Sequence, residues 1–193
     1  MRSPENILEL GQLPVDMMGL IFYEKSPRYV SQPNLPELPI ERVGVFVNAE
    51  IDFILEKVSQ YRLSKVQLHG NESPDFCREL NEVLPVIKAF SIGNVQDMEQ
   101  VTAYEGASSY FLFDTRTAQY GGSGEKFDWR ILEAYTGSTP FLLSGGISIE
   151  DIETLRNMSY PSLYGVDLNS RFEITPGVKD INLLNQFINK IRL

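Results

Sequence analysis

Asp114 closes a short apolar run and opens the segment FDTRTAQYGGSGEKFDW, which carries glycines at 121, 122 and 124. A carboxyl in that place reads in two ways. It caps a turn over residues 115–117, or it is an acid facing a site over which the glycine-rich loop closes, where exclusion of water would raise its pKa into a range useful for proton transfer. Other polar groups stand in the same relation to apolar runs: Tyr23 after MMGLIF, His69 at the end of KVQLH, Ser144 after PFLL and Asn169 after LYGVDL. His69 reads as a proton carrier, a stacking partner or a hydrogen-bonded residue at the mouth of a site. Arg28, in KSPRYV, reads as a bidentate clamp for a ligand carboxylate or as a surface arginine paired with a nearby acid.

In LLSGGIS, Ser144, Gly145 and Gly146 lie between an apolar run and a helical pattern starting near residue 149. Glycines let backbone approach a ligand, and N–H groups of such a loop and helix start suit a phosphate; a tight turn is the simpler reading of two glycines alone. Asn169 and Ser170 in GVDLNSRF add donors beside it and favour phosphate. Asp167 reads as a structural acid near these loops. Cys77, within the helical pattern SPDFCREL, reads as a packed thiol rather than a nucleophile.

The 193 residues are 42% hydrophobic and 11% aromatic, enough for one sizeable core. A formal net charge of -9 without a basic run argues against nucleic acid or an anionic membrane as partner, while leaving room for an anionic small molecule held by local donors. One cysteine and one histidine exclude an internal disulfide and a metal site rich in Cys or His. The N-terminus lacks a signal-peptide core and no run reaches the roughly 20 residues that span a bilayer, so a cytoplasmic location is expected.

Around these residues the chain alternates. Apolar β-rich runs at 17–22, 42–47, 65–69, 86–90, 110–113, 140–143 and 163–168 are separated by helical patterns at 50–61, 73–83, 94–104, 129–135, 149–158 and 179–192. Near-continuous apolar runs with helices between them predict a parallel sheet covered on both faces. No G-x-G-x-x-G follows the first run, and the diverse polar strand ends favour a (β/α)8 barrel over an open dinucleotide-binding sheet. The count is seven strands rather than eight, and a helix at 4–10 opens the chain. Residues 1–193 are therefore expected to form a single barrel domain with its first strand missing, leaving unpaired edges at the seam that invite association or local disorder. Prolines 33, 36 and 39 predict an extended or one-turn crossover over 31–41.

GLIFYEKSPRYV, VGVFVN, VQLHGNES, LFDTRTAQYGGSGEKFDW, LSGGIS and GVDLNSRFEITPGVKD, in this order over nearly the whole chain, resemble phosphoribosylanthranilate isomerase of tryptophan biosynthesis. The resemblance implies a TIM barrel that performs an Amadori rearrangement on a phosphorylated small molecule, without metal or organic cofactor. It implies Asp114 as the acid, Arg28 on the anthranilate carboxylate, His69 on the anthranilate side, and Ser144, Gly145, Gly146, Asn169 and Ser170 around the phosphate. The family's base is a cysteine in a Lys-x-Cys-Gly motif, which these residues do not contain, so the chain is expected to bind ligand but turn over poorly; a non-catalytic sugar-phosphate-binding barrel is the alternative. Arg171 stands where glycine is usual and Asn169 where a small hydroxyl residue is common. Oligomeric state, monomer or homodimer, is left open.

Overall fold

The computed structural model describes residues 1–115 and 128–192. Helix α1 (Pro4–Leu10) starts where the sequence says it should: the Ser3 side chain accepts the Asn6 N–H, and Pro4 occupies a first-turn position where no N–H is needed. Seven parallel strands follow in sequential order, β1 (Met17–Ile21), β2 (Glu41–Phe46), β3 (Lys65–Leu68), β4 (Val86–Ile92), β5 (Tyr110–Thr115), β6 (Phe141–Leu143) and β7 (Leu163–Val166). Each strand pairs with the next, the order in which a (β/α) barrel winds. The seven-strand expectation therefore holds, with β1 and β7 as the two edges of the sheet. A short antiparallel pair, β8 (Glu173–Thr175) and β9 (Val178–Lys179), precedes the C-terminal helix.

Period-two alternation sorts the strand residues into two apolar clusters. Phe46, Leu68, Phe90, Phe111, Phe113, Phe141 and Leu143 join the core shared with the helices, whereas Val43, Ile87, Ala89, Leu112 and Leu142 form a separate inner cluster. The parity that turns Leu112 inward also turns Asp114 inward, and that of Leu142 does the same for Ser144. A two-residue count along a strand thus decides which polar groups face the interior.

The connections are α2 (Ile51–Tyr61), α3 (Pro74–Asn81), α4 (Ile152–Asn157) and α5 (Ile181–Ile191), and two expected helices differ in kind. Residues Val95–Tyr104 and Trp129–Ala134 are 3-10 helical throughout, and 3-10 residues Ile149–Asp151 precede α4. Length gives the reason for the first: β4 and β5 run in the same direction, so the connection must travel back along a strand of about 20 Å. Ten residues reach about 20 Å as a 3-10 helix but only about 15 Å as an α-helix. The second holds six residues, too few for an α-helix to nucleate without tertiary help. The crossover over 31–41 holds no helix before β2 begins, in keeping with its prolines, and the buried Arg42 ties it down by donating to the Pro36 and Tyr61 carbonyls.

At the seam the edge of β1 is not bare, which corrects the expectation of an unpaired edge there. The Gly19 carbonyl accepts from the Met1 amine at 2.8 Å and the Ile21 carbonyl from the Val30 N–H at 2.9 Å, since the chain after β1 folds back along it. Burial, aided by the charge of Lys179, pushes the Met1 amine down to about 5. The chain's two ends also meet through Asn6 on α1, whose amide donates to the Lys179 carbonyl at 2.9 Å and accepts the Lys179 N–H at 2.7 Å. Asn6 is buried, so Asn6→Ala leaves a buried backbone donor and acceptor unpaired. A loss of about 2 kcal/mol or more is expected in urea unfolding; a change below about 0.5 kcal/mol, the usual range of a neutral surface substitution, would show that the pair does not hold the seam.

Candidate active site

A cavity of about 850 Å³ opens inside the curved sheet and touches the C-terminal ends of the strands. Its lining includes Arg28, His69, Asp114, Ser144, Gly145, Gly146, Asp167, Asn169 and Ser170, so the structure gathers every site residue expected from sequence into one space. The Asp114 Oδ2 lies 3.5 Å from His69 Nε2, while Oδ1 accepts the Thr115 N–H at 2.8 Å. The side chains of both residues remain partly open, at 19% for His69 and 15% for Asp114. Gln67, two residues back on the same face, places its amide nitrogen 3.2 Å from His69 Nδ1. The acid thus has its second oxygen toward an imidazole whose other nitrogen is already engaged. The turn over 115–117 and the loop with Gly121, Gly122 and Gly124 extend beyond the described residues.

His69 is carried by a loop that is held from below. Lys88, buried on β4, donates to the Leu68 and Gly70 carbonyls and pairs with Glu72 at 3.1 Å, and Glu72 accepts the Asn48 and Gly70 N–H groups. A buried ion pair of this kind persists because its remaining lone pairs and protons are satisfied. It brackets His69 on both sides with charged anchors.

On the neighbouring strand end, after β6, Ser144 has both donors committed: its N–H to the Phe113 carbonyl at 2.8 Å and its hydroxyl to Asp167 at 2.9 Å. Gly145 and Gly146 then take φ values of +91° and +65°. A Cβ on Gly145 would come within 2.7 Å of the Thr115 nitrogen, so the close approach of two strand ends requires glycine there. Next to Asp167, Lys179 donates to the Leu168 carbonyl and to the Asn169 carbonyl and side-chain oxygen, fixing the loop that carries Asn169 and Ser170. Arg171, by contrast, is exposed. Asp167 lines the cavity and is half-buried; burial raises its carboxyl above the ordinary range, against the opposing charge of Lys179 and the Ser144 hydroxyl. Burial likewise lowers Lys179.

Arg28 lies in the interior, not on the surface, and already holds an acid. Its Nε and Nη2 donate to the Glu173 carboxylate at 2.7 to 3.0 Å, and Glu173 also accepts the Gly177 N–H at 3.0 Å. Burial opposes the charge on Glu173, yet the bonds from Arg28, the charge of Lys179 and the Gly177 N–H together hold its carboxyl below the usual value. Gly177, which follows Pro176 in the turn between β8 and β9, has φ +85°, a conformation glycine takes without strain, and its N–H points back at Glu173. Glu173, Lys179, Glu72 and Lys88 were not singled out from sequence. The signal for the first two was an acid and a lysine flanking a Pro-Gly turn in EITPGVK. Cys77 is buried in α3 and burial raises its thiol, in keeping with a packing role.

Seven parallel strands in sequential order, with polar groups at their C-terminal ends, define a (β/α) barrel with an enzyme-like site. The family model described as N-(5'phosphoribosyl)anthranilate (PRA) isomerase matches residues 1–190. The chain belongs to the N-(5'-phosphoribosyl)anthranilate isomerase family. It is 50% identical over 199 residues to the protein of that name from Parabacteroides distasonis, covering 99% of this chain and 90% of the relative. The one from Phocaeicola vulgatus is 47% identical over 195 residues, with 100% and 95% covered. Among solved structures, phosphoribosyl anthranilate isomerase from Thermotoga maritima superposes with a TM-score of 0.85 at 35% identity, covering 100% of this chain and 95% of that one, which places the fold among TIM barrels. Another, described as a complex with reduced 1-(o-carboxyphenylamino)-1-deoxyribulose 5-phosphate, has a TM-score of 0.81 at 32% identity over the same shares. Among the described residues no helix is long and apolar enough to cross a membrane.

The raised carboxyl of Asp167 gives a pH dependence with a definite sign. Between its unfolded and folded pKa values the folded protein binds the additional proton, so stability falls as pH rises through that window. Asp167→Asn keeps an acceptor for Ser144 and removes the ionisation. The variant is expected to be more stable than the parent at pH 7, with the difference vanishing below about pH 4, where an unfolded aspartate is also protonated. Urea midpoints measured across pH check this, and a parent at least as stable at pH 7 contradicts it.

Proposed function

We propose that this chain binds N-(5-phosphoribosyl)anthranilate and supplies the acid for its isomerisation to 1-(2-carboxyphenylamino)-1-deoxyribulose 5-phosphate, a step of tryptophan biosynthesis. The observation that carries this is the placing of Asp114 and His69 at 3.5 Å in one cavity, between an arginine on one side and a glycine-rich loop on the other. In this reading Arg28 meets the anthranilate carboxylate and His69 lines the aromatic end. Backbone groups at Gly145, Gly146, Asn169 and Ser170 meet the phosphate, with Ser144 supporting them through Asp167. Asp114 protonates the ribose ring oxygen as the furanose opens to an imine, and a base then removes the C2 proton. Electrons of that C–H bond become the enol-amine double bond, and tautomerisation gives the ketose.

Asp114→Asn keeps the shape and the hydrogen bond to Thr115 while removing the proton to be donated. Turnover is expected to fall about 10²–10⁴-fold with ligand affinity changed by less than about threefold. Turnover within threefold of the parent would remove Asp114 from the chemistry.

The base follows the resemblance rather than the cavity: a Lys-x-Cys-Gly motif absent from residues 1–193, with Cys77 packed on the outer layer. Adding a strand of roughly six to eight residues that carries this motif ahead of Met1 is expected to raise turnover by about 10²–10⁴-fold. Equal turnover in the two forms would mean that a group within these 193 residues already serves as the base.

A further inference from the structure

We infer that Glu173 is a positioning residue that sets which carboxylate geometry Arg28 accepts, and so determines specificity for an ortho-aminobenzoate. The inference rests on the reading of Arg28 as the carboxylate-binding group. A guanidinium has two edges able to make paired, in-plane hydrogen bonds with a carboxylate. In this protein Glu173 takes the edge formed by Nε and Nη2, with three contacts between 2.7 and 3.0 Å. Among the described residues Nη1 has no hydrogen-bond partner. A ligand carboxylate therefore meets a guanidinium whose plane is already fixed and whose second edge alone is open.

Glu173 can impose this because it is itself held. Its side chain is 4% exposed, it accepts the Gly177 N–H from the Pro176-Gly177 turn, and Lys179 stands 3.5 Å away on the other side. Lys179 in turn is bonded through its Nζ to the Leu168 and Asn169 carbonyls. The carboxylate is thus held by groups of the β8–β9 hairpin, outside the loop that carries Arg28. The orientation of that guanidinium decides at what angle a benzoate enters, and hence where on the ring a neighbouring amine must sit to reach Asp114 and His69.

Removing the charge of Glu173 has two effects on anion affinity that oppose each other. Arg28 loses its orientation, and the site becomes more positive. A ratio of affinities for two isomeric anions of equal charge cancels the second effect. The experiment is calorimetric titration of anthranilate and of 3-aminobenzoate into the parent chain, Glu173→Gln, Glu173→Asp and Asn6→Ala. The parent is expected to prefer anthranilate by about tenfold or more, the range that one oriented charge-assisted bond supplies. In Glu173→Gln the preference falls to within about twofold, whatever the absolute affinities do. Glu173→Asp keeps the charge but retracts the fork by one methylene, and its preference falls by a smaller factor. This variant carries the test if Glu173→Gln does not fold.

Asn6→Ala weakens the same seam without touching Arg28, and it keeps the parent's preference. A parent that binds both isomers without preference overturns the inference. So does a Glu173→Gln variant with the parent's ratio, or an Asn6→Ala variant that loses the ratio equally. A parent that binds neither isomer overturns the carboxylate role of Arg28, and the inference with it.

Discussion

One carboxylate joins the two ends of the sheet. Parallel strands hold their neighbours by ladders of backbone hydrogen bonds, and seven of them in sequence leave β1 and β7 with no ladder between them. Arg28, on the loop after β1, reaches Glu173, on the segment after β7, and the pair is buried on both sides. Breaking a buried pair by removing one partner costs about 3–5 kcal/mol, because the other charge is stranded. Here that cost lies where the sheet has no other covalent or ladder connection. Lys179 and Asn6 extend the same junction to the C-terminal hairpin and the first helix.

The chemistry on the cavity wall follows from the parity of a strand. Phe111 and Phe113 bury outward, Leu112 inward, and Asp114 is the next inward position. An acid that had been one residue earlier or later would point into the helical layer. The same count brings in Gln67 and His69 from β3 and its end, and Leu142 and Ser144 from β6 and its end. Catalytic candidates need no special local structure to converge, since the pleat already points them to one axis.

Periodicity and punctuation made most of the fold legible. Ser3-Pro4 placed α1 to the residue, the seven apolar runs matched seven strands within one or two residues at most ends, and three prolines correctly denied a helix over 31–41. What pattern does not encode is pitch. Residues 95–104 show the right spacing for a helix, but the distance to be covered selects the 3-10 form, and that distance exists only once the strands are paired. The site was legible where a residue type is scarce or a motif compact, as with Asp114, His69 and the Ser144-Gly145-Gly146 turn. Glu173 was not, because its meaning lies in a partner 145 positions away. Lys88 and Glu72 look like two unremarkable charges until β3 and β4 bring them to 3.1 Å in the interior.

The contrast between ladder and latch has a consequence for motion. Backbone groups in the middle of the sheet, on β3, β4 and β5, exchange hydrogen only when several strands separate together, so their opening approaches the free energy of global unfolding. At the seam the bonds are few: the Met1 amine to the Gly19 carbonyl, the Val30 N–H to the Ile21 carbonyl, and Arg28 to Glu173 at the start of β8. The seam is therefore held by fewer bonds than the middle of the sheet, and it carries Arg28. A ligand that engages this arginine also fastens the part of the barrel that would open first, which makes occupancy of the site a direct contribution to the cohesion of the fold.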